Sequence, residues 1–207
     1  MDLGYKNLVD ANAVLAIVNV RSKPNKRLLS NARLENKVIN LTKGKAAKCF
    51  VIMDNWDIYV VSKNPRTIRV TYFDSVTELN KKNKSELVEP MIELGFDNYV
   101  FPNKINSVLT IDMTSNKKML KEKKEASLVL DCTHGKKIRS IITLKNSYII
   151  ISAFESLAIE KRRTKNINLM ICAKNDLEIN EDDLKQEDID IENEYESEEG
   201  NEEIEIE

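Results

Sequence analysis

The feature that most constrains this chain is an internal repeat. Displaced by 91 positions, the sequence lies on itself without a gap over the first part of each copy. Leu3-Gly4-Tyr5-Lys6-Asn7 falls on Leu94-Gly95-Phe96-Asp97-Asn98, Val9 on Val100 and Asn12 on Asn103. Asn25 to Leu29 falls on Asn116 to Leu120, Val38 on Val129, and Asn55 on Asn146. Thr42-Lys43-Gly44-Lys45 falls on Thr133-His134-Gly135-Lys136. Beyond the Asn55 turn, Ser62 and Ser152 point to an offset of 90, one residue shorter. The same glycines, turn residues and apolar blocks in one order mark a single supersecondary unit used twice.

Each copy reads alike. Val14 to Val20, matched by Ile105 to Ile111, is a short β-branched run and predicts a buried strand. Ser22 or Asn25 suits a helix cap, with Pro24 in the first turn, and Leu28, Leu29 and Ala32 share one helix face. In the second copy Thr114 or Ser115 takes the cap, and Met119 and Leu120 follow. Three strands come next: Val38 to Thr42, Cys49 to Asp54 and Ile58 to Ser62, matched by Leu128 to Thr133, Arg139 to Leu144 and Tyr148 to Ser152. Gly44 and Gly135 sit where the chain must turn sharply. The expected fold class is therefore α+β, two tandem copies of a small domain with a helix packed on a mainly antiparallel sheet. The copies are placed at 1–70 and 94–163, with a polar linker over 71–93, a short extension over 164–174, and a disordered acidic tail over 175–207. A copy of about 70 residues is near the lower limit for an independent core, so packing against a neighbour is expected.

Charge is segregated along the chain. Of its 34 acidic residues, 17 lie in 175–207 beside a single lysine, Lys185. The first 174 residues keep 31 basic against 17 acidic side chains. This asymmetry points the body toward a polyanion, although a Lys- and Asn-rich genome would decorate a surface in the same way. The sequence has no apolar run of eighteen residues, and Met1 to Val9 carries no secretory signal. The three cysteines, Cys49, Cys132 and Cys172, form neither a zinc pattern nor a disulfide framework. A cytoplasmic protein with free thiols, away from membranes, is the expectation.

No catalytic constellation emerges. The one histidine, His134, has Lys43 as its counterpart, and no serine, cysteine or lysine has a visible activating partner. Gly44-Lys45 and Gly135-Lys136 lack the rest of a phosphate-binding loop, and no metal-ligand or cofactor motif appears. What recurs is a basic turn: Lys43, Lys45 and Lys48 around Gly44, then Lys136, Lys137 and Arg139 around Gly135. Such a loop projects cations and backbone N–H groups together, which suits phosphates of a nucleic acid. Arg21, Lys23, Lys26 and Arg27, matched by Lys117 and Lys118, add charge at a helix start. The plain alternative for these lysines is solubility; the second occurrence of the turn favours binding.

Taken in order, these segments resemble the RemA family, small bacterial regulators of extracellular matrix genes. The first copy supplies Leu3-Gly4-Tyr5, Ala11-Asn12, Leu15-Ala16-Ile17-Val18, Pro24-Asn25-Lys26-Arg27 and Val51-Ile52-Met53-Asp54. The second supplies Leu94-Gly95-Phe96, Pro102-Asn103, the Gly135 to Arg139 loop and Ile151-Ser152-Ala153. The resemblance implies a DNA-binding transcriptional regulator of biofilm matrix genes that assembles into rings. The family's arginine before the first strand falls on Ala13 and Lys104, and its loop Arg pair on Lys45-Ala46 and Lys136-Lys137. The second copy thus keeps a cation at all three positions and the first keeps one, always as lysine, which holds charge without arginine's bidentate fork.

The candidate DNA-binding set is Lys104, Lys136, Lys137, Arg139, Lys45, Lys48, Lys26 and Arg27, with DNA and further copies of the chain as expected partners and no cofactor. The rival expectation is a ring-forming scaffold that has lost DNA binding. The tail is either a solubilising segment or a phosphate mimic competing for the basic surface. In the second case, truncation after Lys174 tightens DNA binding at low salt in a fluorescence-anisotropy titration; an unchanged affinity assigns the tail to solubility alone.

Overall fold

The computed structural model describes residues 1–82 and 90–174. After a one-turn 3-10 helix at Ala11–Ala13, the first repeat runs β1 (Val14–Asn19), α1 (Lys23–Leu34), β2 (Val38–Asn40), β3 (Cys49–Met53), β4 (Ile58–Val61) and α2 (Pro65–Lys82). The second opens with a hairpin, β5 (Ile92–Glu93) and β6 (Tyr99–Val100). Then come β7 (Ile105–Thr110), α3 (Thr114–Glu125), β8 (Val129–Asp131), β9 (Ser140–Leu144), β10 (Ile149–Ser152) and α4 (Ser156–Lys174). The α+β expectation holds, with two repeated units.

Strand pairing shows the repeat more sharply than residue identity does. Val38 pairs with Ile58 as Val129 pairs with Ile149, and Cys49 with Val61 as Ser140 with Ser152. The displacement is therefore 91 throughout, and the shorter offset suggested by Ser62 and Ser152 is wrong. Ser62 corresponds to Ala153 and Lys63 to Phe154. The two turns confirm it: Trp56 and Ser147, at φ 75° and 71°, occupy the same left-handed position. Each sheet is antiparallel apart from one parallel pair, β2 with β4 and β8 with β10.

The repeats are not two beads on a string. The first sheet has the order β2-β4-β3-β1-β6-β5, so the hairpin that opens the second repeat completes the sheet of the first. Ala16 and Ile17 of β1 pair with Val100 and Tyr99. At the end of β1, the Asn19 N–H donates to Asn98 Oδ1 at 2.7 Å. Helix α1 reaches the other way and covers the edge strand β8. Buried Asn25 donates from Nδ2 to the Asp131 carbonyl at 2.9 Å, and its Oδ1 accepts the Asp131 N–H at 2.8 Å. Trp56 packs on Tyr148 with ring centroids 5.1 Å apart. One apolar cluster consequently runs through both repeats, from Leu15, Leu28 and Phe50 to Leu130, Ile142 and Ile150.

Three sequence expectations need adjustment. The segment 71–93, expected as a linker, is helical up to Lys82 and enters the first sheet at Ile92. Ile68, Tyr72 and Val76, spaced at four, bury one face of α2 against the outer side of that sheet. The span 156–174, including the expected extension 164–174, belongs to α4. The second-repeat helix is preceded by Met113, without a side-chain cap, rather than capped by Thr114 or Ser115. In the first repeat Ser22 does cap, accepting the Asn25 N–H at 3.2 Å. The polar stretch 83–89 and the acidic tail lie outside the described residues.

The Asn25 clamp yields a direct test. Asn25→Ala strands the backbone N–H and C=O of Asp131 in a buried joint, a loss of about 2 kcal/mol. In a chain of this size that lowers Tm by roughly 4–8 °C in a thermal melt. An unchanged Tm means the joint does not hold the repeats together.

Candidate nucleic-acid interface

Each basic loop is built the same way. Asn40 Oδ1 accepts the Thr42 N–H at 3.0 Å, and Asp131 Oδ1 accepts the Thr133 N–H at 2.9 Å and its hydroxyl at 2.7 Å. The turn then needs two consecutive left-handed residues: Lys43 and Gly44 at φ 50° and 80°, His134 and Gly135 at 55° and 90°. A Cβ on either glycine would meet nothing within 4 Å, so glycine is required there by backbone conformation and not by space.

The loop rests on the Gly-aromatic hairpin of its own repeat. Lys43 and Lys45 bring their ammonium groups to 5.1 and 5.5 Å from the centre of the Tyr5 ring. In the second repeat His134 stacks on Phe96 at 5.0 Å, and Lys136 lies 5.6 Å from that ring's centre. The hydroxyl of Ser62, then the ammonium of Lys45, pulls the Tyr5 phenol below its ordinary range. Hairpin and loop are therefore one device, which explains why both recur together in the sequence.

The structure groups the anticipated cations unevenly. Lys45 and Lys48 are exposed on the first loop, and Lys137 and Arg139 on the second, with Lys136 half-buried. Arg139 is engaged by Glu155 at 3.2 Å. Lys26 and Arg27 are exposed on α1. They follow Asn25, whose bond to Asp131 brings the start of α1 to the base of the second loop. Lys104 stands apart: its side chain is 18% exposed and 4.0 Å from the Asp54 carboxylate of the first repeat. Its place is in the joint between repeats. Sequence reasoning missed the aromatic supports Tyr5 and Phe96, the Ser62 hydroxyl and the joint residues Asn19 and Asn98. The matched pairs Asn25/Asn116 and Asn7/Asn98 were visible signals, although nothing in their spacing tells a capping asparagine from one that bridges two repeats.

Among the described residues no His, Cys, Asp and Glu come together as a metal site. None of their helices is long and apolar enough to cross a membrane. The Cys49 thiol is pushed up to about 12 by burial, and burial, then the Asp131 carboxylate, raises Cys132 well above its ordinary range. Neither is a nucleophile near neutral pH.

This duplicated sheet and loop matches a known family model, "RemA-like: Extracellular matrix regulatory protein A-like", over residues 1–70 and again over 91–162. The chain belongs to the RemA-like family. A relative from Fervidobacterium nodosum is 33% identical over 82 residues, covering 40% of this chain and 88% of the relative. One from Leptospira biflexa is 34% identical over 73 residues, covering 35% of this chain and 78% of its own. A third, from Trichormus variabilis, is 34% identical over 68 residues, 33% of this chain and 77% of the relative. Each has room for one repeat where this RemA-like chain has two, and each is named only as a candidate regulatory protein. Family and relatives together support a regulatory role, and such names speak for a non-enzymatic one.

Proposed function

We propose that this RemA-like chain is a cytoplasmic, DNA-binding transcriptional regulator of the matrix-gene type that assembles head to tail into a ring. The observation that carries the reading is the joint between its repeats, because half of that joint recurs at each end of the chain. Strand β7 corresponds to β1, yet among the described residues it is an edge strand, paired only with β9. Leu8 corresponds to Tyr99, which is 1% exposed in the joint, yet Leu8 is 75% exposed. Strand β8 is buried under α1, whereas β2 carries the exposed Ile39 and Asn40. Asn116 corresponds to Asn25 and already copies its local bond, donating to the Thr110 carbonyl at 2.8 Å as Asn25 donates to Asn19.

Repeating the intrachain joint between chains seats the hairpin 2–8 of one chain on β7 of its neighbour, whose α3 in turn covers β2 of the first chain. Exposed strand edges and apolar residues are then covered. The contact is heterologous, so it closes into a ring if the rotation per repeat allows. It also brings Lys117 and Lys118 of one chain to the base of the Gly44 loop of its neighbour, as α1 meets the Gly135 loop within the chain. A row of cationic loops, each beside a basic helix start, suits phosphate contacts along a duplex.

The scaffold reading has its own support. Lys104 faces Asp54 and Arg139 faces Glu155, so these candidate cations are already paired with carboxylates.

Two measurements test the proposal. Native mass spectrometry or light scattering of the intact chain shows an oligomer, and Leu8→Lys or Asn116→Ala shifts it toward monomer; a monomeric wild type removes the ring. In gel shifts across a salt series, duplex DNA binds tightly at low salt and weakens steeply as salt rises. Lys136→Ala with Lys137→Ala lowers the affinity about a hundredfold or more, since each ammonium–phosphate hydrogen bond contributes about 1.5 kcal/mol or more. A wild type that shifts no DNA at low salt leaves the scaffold.

A further inference from the structure

The 91-residue register exposes a difference between the copies that the basic loops alone do not show. In the second repeat the ring of Phe154, 2% exposed, lies under the hairpin, 3.1 Å from where a Cβ on Gly95 would stand. The Arg162 guanidinium covers that ring at 4.3 Å. In the first repeat the matching position is Lys63, and the position matching Arg162 is Thr71. The side chain of Lys63 passes 4.0 Å from where a Cβ on Gly4 would stand and places its ammonium 3.3 Å from the Thr71 hydroxyl and 3.3 Å from Asp2. Where one copy is plugged by an aromatic ring, the other has a cleft of about 470 Å³ between the hairpin, the Gly44 loop and Ser62-Lys63.

Three lysines line this cleft, Lys45, Lys48 and Lys63. Among the described residues, Asp2 is the one carboxylate paired with any of them. The Tyr5 hydroxyl joins them: Ser62 donates to the Tyr5 oxygen at 3.4 Å, so the Tyr5 O–H is not spent on Ser62. Gly4, Ala46 and the lysine stems give the walls an apolar character. A cationic cleft of this volume, with the Tyr5 hydroxyl as a donor and a half-buried ammonium at its base, falls within the size range of small-ligand sites.

We propose that the first repeat binds a terminal phosphate group, a phosphate monoester, in this cleft, and that Phe154 has closed the same site in the second repeat. A backbone phosphodiester carries one charge and a substituent on either side. A terminal phosphate carries close to two charges and presents three oxygens, which matches three ammonium groups and the Tyr5 hydroxyl that Ser62 orients. The source is either a free phosphorylated small molecule or the phosphorylated end of a nucleic-acid strand. The site requires no duplex binding by either loop. Because Lys45 and Lys48 also belong to the proposed DNA surface, the decisive variants leave them in place.

The test is calorimetric titration of the full chain with inorganic phosphate, a nucleoside 5′-monophosphate, the parent nucleoside, and one single strand with and without a 5′-phosphate. The phosphate-bearing probes bind and the nucleoside does not. Lys63→Phe, which copies the second repeat, weakens binding about tenfold or more, in line with removal of a charged hydrogen bond. Tyr5→Phe with Ser62→Ala, which keeps the Lys63–Asp2 pair, also weakens it, and neither variant changes the melting temperature by more than a few degrees. Loss on phosphate and nucleotide assigns a small-molecule ligand; loss confined to the 5′-phosphorylated strand assigns a strand end. No binding of any phosphate monoester by the wild type, or binding that both variants retain, overturns the site. Phosphate binding without duplex binding overturns only the DNA reading.

Discussion

The asparagine clamp between repeats is the constraint on which the rest depends. Edge strand β8 ends its backbone ladder against a helix rather than a strand, and its Asp131 N–H and C=O need partners in a place water does not reach. One primary amide satisfies both, because Asn25 offers a donor and an acceptor on the same side chain. With α1 held there, Leu28, Leu29 and Ala32 close over the shared core. The hairpin of the second repeat then extends the first sheet from the opposite side. A repeat of this size is near the lower limit for an independent core. Sharing one core across the duplication enlarges the interior available to each copy.

The same joint fixes where the charged loops stand. The Gly44 and Gly135 turns each hold two left-handed residues, a costly backbone that is kept only where surroundings determine it. Those surroundings are the side chains of Asn40 or Asp131 beneath, and Tyr5 or Phe96 beside. Phe96 sits on the hairpin that β1 of the first repeat holds in place, so the second loop is positioned partly by the first copy. Cation placement is thus a property of assembly, not of a repeat in isolation.

The duplication, the strand order within each copy and the basic turns were legible in the sequence because each rests on local signals: β-branched runs, glycine at a left-handed position, clustered lysine. The register slip had a specific cause. One identity, Ser62 with Ser152, outweighed a gapless alignment in which Ser62 meets Ala153 and Lys63 meets Phe154, pairs with no chemical likeness. The third-layer helix α2 was hidden because exposed Val70 and Phe73 blur the stripe made by Ile68, Tyr72 and Val76. The docking of α1 on the other repeat's edge strand was not legible at all, since it depends on which strand edge lies opposite Asn25.

Divergence between the copies follows from this division. Positions that build the joint and the turns stay alike: Asn25 with Asn116, Asn7 with Asn98, Gly4 with Gly95, Thr42 with Thr133. Positions around the loop drift: Ala46 against Lys137, Lys48 against Arg139, Lys63 against Phe154. In a ring of identical single repeats, such drift would alter every site at once. Fusing two copies frees one from the other's constraint. The second repeat adds charge to its loop and fills the space under it with a ring held by Arg162. The first gives up one cation on the loop, at Ala46, and sets another in the floor, at Lys63. Both changes keep the frame and alter what it offers: a rigid cationic surface in one copy, and an open cationic cleft in the other.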